Sequence, residues 1–213
     1  MAQFFTIHAD NPQPRLIRQA AALLREGAVI AYPTDSCYAL GCHLGDNNAV
    51  ARIRKIRGLD EEHYMTLMCR DLSELGRYAR VNNVQFRLLK NNTPGSYTFI
   101  LDATKEVPKR LQHSKRSTVG IRIPDHAVAL ALLQELGEPL LSSTLILPDA
   151  ELPLNDADEI RDQLDHLVDL VLYGGAAGLE PTTVIDLTRD TPVLLRRGKG
   201  DVTPFSIEDY FAD

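Results

Sequence analysis

Within the stretch PQPRLIRQAAALLREGAVIAY, residues 12–32, the apolar pattern changes period across a single glycine. Leu16, Ile17, Ala20, Leu23 and Leu24 recur at helical spacing, Pro12 and Pro14 stand near the start, and the pattern stops at Gly27. AVIAY follows at once as an unbroken apolar run of the kind a buried strand shows. A helix joined so closely to a buried strand has to lie back on a sheet, so the chain is expected to build a layered α/β fold.

The same grammar recurs. DNNAVARIRKIRG reads as a second helix, capped by Asp46 or Asn47, with Val50, Ile53 and Ile56 inward and Gly58 as its left-handed stop. MTLMC, YTFIL and TVGIRIP read as strands, and AVALALLQELG as an amphipathic helix ended by Gly137. PLLSSTLIL enters as an apolar run carrying Ser142, Ser143 and Thr144, while HLVDLVLYGG, TTVIDLT and PVLLRR complete the strands. Between Asp156 and His166, Ile160, Leu164 and Leu167 fall at helical spacing, as in a surface helix. The cadence is not strictly strand-helix-strand, so the expected class is α/β with a twisted mixed parallel/antiparallel sheet and flanking helices. The 213 residues favour one domain spanning 1–213.

Charge is regional. The net charge of −6 hides a segment, 149–169, that holds eight of the 29 acids and one of the 23 bases; the remainder carries 22 bases against 21 acids. Basic residues cluster in RIRKIR (52–57), KRLQHSKR (109–116) and RRGK (196–199). Each reads alone as a solvated element end, Lys55 and Arg57 favouring a helix C-terminus by about 0.3–1 kcal/mol each. Brought together they make a cationic face suited to phosphates or RNA. Three cysteines without a C-x-x-C pair point to reduced thiols and a cytoplasmic setting, and neither a signal peptide nor a membrane span is read in the chain. His63, His113 and His126 are not at metal-ligand spacing, and no structural metal is expected.

Phosphate-loop, nucleophile-elbow, zinc-protease and dinucleotide motifs are absent, and GGAAG at 174–178 reads as a turn. What remains is hydroxyls and arginines at strand ends, in PTDS, TVGIR, LLSST, PTT and LLRR. A planar guanidinium with hydroxyl and backbone donors suits a carboxylate or phosphate, although strand-end hydroxyls also serve as turn caps.

YPTDSCYALG, TPGSYTFIL and TVGIRIPDH, in that order, resemble three motifs of the YrdC/YciO family of threonylcarbamoyl-AMP synthases, most closely its YciO branch. The resemblance implies a twisted mixed sheet with a large concave cationic face, and a reaction joining threonine, bicarbonate and ATP with release of pyrophosphate. ATP brings Mg²⁺ as its usual companion. The threonylcarbamoyl group then passes to tRNA, and tRNA or double-stranded RNA is the implied partner.

Thr34 and Ser36 match the two hydroxyls of the family's Pro-Thr-Glu-Thr, and Arg122 matches the arginine expected to hold the threonine carboxylate. Ser142 falls at a backbone-contact position and Thr182 replaces a serine of the amino-acid site. Thr118 and Arg196 match nucleotide-contacting positions, and Arg57 and Arg196 are implied to stabilise phosphate charge. The nucleotide half departs from the family. Lys-x-Arg-Pro aligns with Arg57-Gly58-Leu59-Asp60, Ser-x-Asn becomes Thr144-Leu145-Ile146, and an asparagine and a histidine become His63 and Met68. Two readings therefore stand: an enzyme of the threonylcarbamoyl-AMP synthase type, or a non-catalytic RNA-binding protein or hydrolase of threonylcarbamoyl groups with ATP use lost.

Overall fold

The computed structural model describes residues 1–60, 63, 65–112 and 116–207. His113, and with it the centre of the 109–116 basic cluster, lies outside the described residues.

Strands β1 (Gln3–Thr6), β2 (Ile30–Tyr32), β3 (Ala39–His43), β4 (Thr66–Met68), β5 (Ala79–Arg80), β6 (Tyr97–Ala103), β7 (Thr118–Arg122), β8 (Leu140–Thr144), β9 (Leu170–Tyr173), β10 (Thr183–Asp186) and β11 (Val193–Arg196) form one sheet. Their order is β1-β9-β2-β3-β8-β4-β7-β6-β10-β11, with β5 beside β6. Pairing is mixed as expected: β1 and β2 flank β9 in parallel, β3, β8 and β4 run antiparallel in turn, and β4 and β7 are parallel. The helices are α1 (Pro14–Arg25), α2 (Asn47–Arg57), α3 (Leu72–Tyr78), α4 (Asn83–Asn92), α5 (Ala127–Leu136) and α6 (Ala157–Leu164).

The helix ends follow local chemistry. Proline opens α1, and the Asp46 carboxylate accepts the Ala49 N–H at 2.9 Å, choosing Asp46 over Asn47 as the cap of α2. Gly58 and Gly137 take left-handed conformations at φ 63° and 77° and stop α2 and α5. One sequence expectation needs correction. α6 ends at Leu164, so Ile160 and Leu164 are buried while Leu167 lies beyond the helix and is 40% exposed.

Strand alternation divides the apolar residues between two cores. Ala31, Leu141 and Val171 face one core, where Ile53 of α2, Leu75 of α3, Leu89 of α4 and Ile160 of α6 pack. Their neighbours Ile30, Tyr32, Leu140 and Leu172 face the other, closed by Ile17, Ala20 and Leu24 of α1 and Val128, Leu132 and Leu133 of α5. Truncating a fully buried leucine such as Leu24 or Leu40 to alanine costs about 2–5 kcal/mol. On the α1/α5 side the pattern changes at the middle strands: Thr66, Thr98, Gly120, Ser142 and Thr144 replace large apolar residues, and there a cleft of about 430 Å³ opens.

Candidate functional site

The cleft starts where β2 gives way to the turn Pro33–Cys37. The Thr34 hydroxyl donates to the Cys37 carbonyl at 2.6 Å and accepts the N–H groups of Ser36 at 3.2 Å and Cys37 at 3.3 Å, closing the turn on itself. With Thr34's proton engaged, Ser36 donates its hydroxyl to Thr34 at 3.1 Å and accepts from Arg122 Nη1 at 3.0 Å.

Asp35, between these two hydroxyls, turns away from the cleft lining and pairs with Arg122 Nη2 at 2.5 Å. Its carboxylate also accepts from the Ser96 hydroxyl at 2.6 Å and the Asp125 N–H at 3.1 Å, and its carbonyl accepts from Lys199 Nζ. Arg122 is 6% exposed, and its Nε is buried with no hydrogen-bond partner among the described residues. The guanidinium lines the cleft floor with two of its five N–H groups engaged, by Ser36 and Asp35. Gly178 lets the 174–182 loop press on this turn, since a Cβ there would sit 2.2 Å from the Ser36 carbonyl oxygen.

The middle of the cleft is a hydroxyl row. Ser142 gives its proton to the Leu40 carbonyl at 3.2 Å and receives one from the Tyr32 phenol at 2.8 Å; burial pushes that phenol well above its ordinary pKa. Thr98 and Thr182 lie 2.9 Å apart through their hydroxyls. Ile100, Val184, Leu195, Ile146 and Met68 supply apolar wall.

The far end is cationic. Arg57, in the last turn of α2, donates through Nε to Ser143 Oγ at 3.3 Å. Arg196 donates to the Thr182 carbonyl from Nε at 3.1 Å and from Nη2 at 2.9 Å, and from Nη2 to the Thr182 hydroxyl at 3.0 Å. Burial lowers the pKa of both guanidiniums, and for Arg57 the nearby charge of Arg196 lowers it further. Among the described residues neither has a carboxylate within 4.0 Å. His63 lines this end, its pKa lowered first by burial and then by Arg57. Two partly desolvated cations facing a cleft, with no acid partner among the described residues, favour an anion between them.

Eight of the nine candidate site residues read from the sequence line this one cleft: Thr34, Ser36, Arg57, Arg122, Ser142, Thr144, Thr182 and Arg196. Thr118 does not; it is buried on β7, two residues before the cleft-lining Gly120. The basic clusters contribute unequally. Arg52 pairs with Asp169 at 2.8 Å and Arg54 donates to the Asp60 carbonyl, which leaves Arg57 as the RIRKIR residue that reaches the cleft. Asp35 and Lys199 were read within PTDS and RRGK but not as site residues, and Ser96, inside TPGS, was not singled out. Among the described residues no group of three or more His, Cys, Asp and Glu is placed to hold a metal ion. Nor is any of their helices long and apolar enough to cross a membrane.

A family profile described as "Telomere recombination", covering Sua5, YciO and YrdC, matches residues 22–198. The chain belongs to the Sua5/YciO/YrdC family. It is 60% identical to Escherichia coli (strain K12) YciO over 205 residues, 96% of this chain and all of that one. The crystal structure of E. coli YciO superposes with a TM-score of 0.93 over the same shares of the two chains. A Bacillus subtilis (strain 168) protein named threonylcarbamoyl-AMP synthase is 32% identical over 194 residues, 90% of this chain and 55% of that one. The crystal structure of P. abyssi Sua5 complexed with L-threonine is 28% identical, with a TM-score of 0.84 over 92% of this chain and 57% of that one. The mixed sheet and flanking helices are those of the Sua5/YciO/YrdC family.

Proposed function

We infer that the cleft binds threonine at its Arg122 end and the phosphate of an adenylate at its Arg57/Arg196 end, and that the protein acts as a nucleotidyltransferase of the threonylcarbamoyl-AMP synthase type. The observation that carries this reading is the pair of differently built cationic ends in one cleft, one paired with Asp35 and one without a carboxylate partner among the described residues. The threonine-bound relative and the relatives named as synthases support threonine and an adenylate as the ligands.

In this reading Arg122 holds the amino-acid carboxylate, while Thr34 and Ser36 shape the floor and Ser142 and Thr182 the wall. Thr144 lies beside the nucleotide, and Thr118 acts from behind the lining by supporting β7. The threonine amine and bicarbonate condense to a carbamate with loss of water, a carbamate oxygen attacks the α-phosphorus of ATP, and the bond to pyrophosphate breaks. Arg57 and Arg196 stabilise the charge on the phosphoryl oxygens, so the protein works by positioning and electrostatics and forms no covalent intermediate. Mg²⁺ enters with the ATP phosphates; Asp60 is the one carboxylate among the described residues that lines the cleft. The product is passed to tRNA in the cytoplasm, with tRNA or double-stranded RNA as the macromolecular partner.

A second reading has a specific observation in its favour. The lining offers a triphosphate two guanidiniums without a carboxylate partner among the described residues, since Leu59 does not line the cleft and Lys199 donates to Asp35. Each charge-assisted donor removed from a polyphosphate site costs about 1.5–3 kcal/mol, roughly ten- to over a hundredfold in affinity. The protein would then bind RNA, or hydrolyse a preformed threonylcarbamoyl group, without using ATP.

The test is threonine- and bicarbonate-dependent release of pyrophosphate from ATP, with mass spectrometry for the threonylcarbamoyl adenylate. Product at catalytic rates is expected for the synthase. ATP left intact while RNA binds, or while a preformed threonylcarbamoyl group is hydrolysed, transfers the function to the second reading.

A further inference from the structure

Asp35 is unusually well held for a residue that does not line the cleft. Arg122, Ser96 and the Asp125 N–H occupy its carboxylate and Lys199 its carbonyl, so three separate segments meet on it. The side chains of Arg122 and Asp35 are 7% and 10% exposed, and at 2.5 Å their charges cancel at close range. The two ends of the cleft therefore differ in kind. Arg57 and Arg196 present net positive charge to any anion. Arg122 lines the cleft as half of a neutral pair, and the Nη hydrogens not taken by Ser36 and Asp35 are the oriented donors it can offer.

A doubly charged phosphate gains most from net charge, whereas the singly charged carboxylate of a zwitterionic amino acid can be held by oriented donors alone. We propose that Asp35 is a specificity-determining residue: by cancelling the charge of Arg122 it keeps phosphate out of the amino-acid end and sorts a two-part ligand into carboxylate at Arg122 and phosphate at Arg57/Arg196. This rests on the amino-acid reading of the Arg122 end for its ligand, but the exclusion of phosphate can be measured without it.

Asp35→Asn is the informative variant. The amide keeps the size of the side chain, its oxygen can accept from Arg122 and the Asp125 N–H, and its nitrogen can donate to the Ser96 hydroxyl. Asp35→Glu keeps the charge, and Ser96→Ala removes one support of Asp35 without changing charge. Each protein is titrated calorimetrically with inorganic phosphate, then with L-threonine in the presence and absence of phosphate, and its melting temperature is recorded.

The expected result is that D35N gains a phosphate equivalent relative to the wild type and that phosphate weakens its threonine affinity at least about tenfold, the low end of what one charge-assisted bond confers. Wild type, D35E and S96A should hold threonine with an affinity indifferent to phosphate. A folded D35N that takes up no additional phosphate and shows no competition overturns the proposal. So does S96A behaving as D35N does, which would make Asp35 a mere structural support. A wild type that binds phosphate but no threonine removes the amino-acid reading, and the phosphate stoichiometry of D35N still decides this one.

Discussion

Replacing Arg122 by methionine keeps the aliphatic stem and deletes the guanidinium, leaving Asp35 charged in a site where its side chain is 10% exposed. Breaking a buried pair by removing one partner costs about 3–5 kcal/mol, because the remaining charge loses its compensation while staying out of water. Asp35 keeps its bonds from Ser96 and Asp125, which places the expected cost of R122M near the lower end, about 3 kcal/mol. For a chain of this size that corresponds to a melting temperature lower by about 6–12 °C. Urea unfolding of wild type, R122M, D35N and R122M/D35N gives the coupling directly. The double variant has no stranded charge, so it should be more stable than R122M, with a coupling of at least about 1.5 kcal/mol, as for hydrogen bonds to charged groups. An R122M cost below about 1 kcal/mol, or a double variant whose cost is the sum of the singles, would refute the view that these side chains form one buried unit.

Gly178→Ala places a Cβ 2.2 Å from the Ser36 carbonyl oxygen and must push the 174–182 loop off the Thr34–Ser36 turn, so threonine affinity should fall while Gly76→Ala, which meets nothing within 4 Å, leaves it unchanged. Cys37, Cys42 and Cys69 are all buried and burial raises all three thiol pKa values, that of Cys42 to about 12; a thiol reagent at neutral pH should label the native protein slowly and the denatured protein at three sites. Burial raises the Glu74 carboxyl pKa, and its Oε1 is buried with no hydrogen-bond partner among the described residues, Arg70 Nε lying 4.0 Å away. The folded state therefore binds this proton more tightly than the unfolded one, and stability from this group is present at acid pH and lost as pH rises through the raised value. Glu74→Gln should flatten that part of the profile, its gain over wild type growing with pH; a difference independent of pH would contradict the assignment.

How much of this was legible in the sequence depended on whether an element carried its own signals. α1 and α2 could be read because Pro14, Asp46 and Gly58 mark their ends and a continuous apolar stripe marks their buried faces. α3 has seven residues, too few for a periodic stripe, and α4 buries Leu89 alone, so neither stood out. α4 did leave one trace, the reciprocal Asn82–Gln85 capping box, whose bonds are 2.9 and 2.8 Å. β3 was hidden because it starts two residues after Cys37 and contains Gly41, which packs tightly beneath Leu140 and Tyr32.

For the site, residue types were legible and their convergence was not. The order β3-β8-β4-β7-β6-β10 brings residues near 36, 142, 66, 122, 98 and 182 together, and no local pattern encodes that order. Asp35 and Arg122 are 87 residues apart, so nothing in PTDS marked which of its polar side chains would face the ligand and which would hold the arginine. Thr118 carried the right residue type at the right strand phase and still fell outside the lining, one pleat repeat short of the cleft.

The central claim, that one cleft holds an amino acid by its carboxylate at one end and a phosphate at the other, is tested most directly by a crystal structure of the protein with L-threonine and AMP. The threonine carboxylate is expected within hydrogen-bond distance of the Arg122 guanidinium and the phosphate between Arg57 and Arg196. Phosphate density on Arg122, or threonine bound away from the Ser36–Arg122 floor, would contradict it.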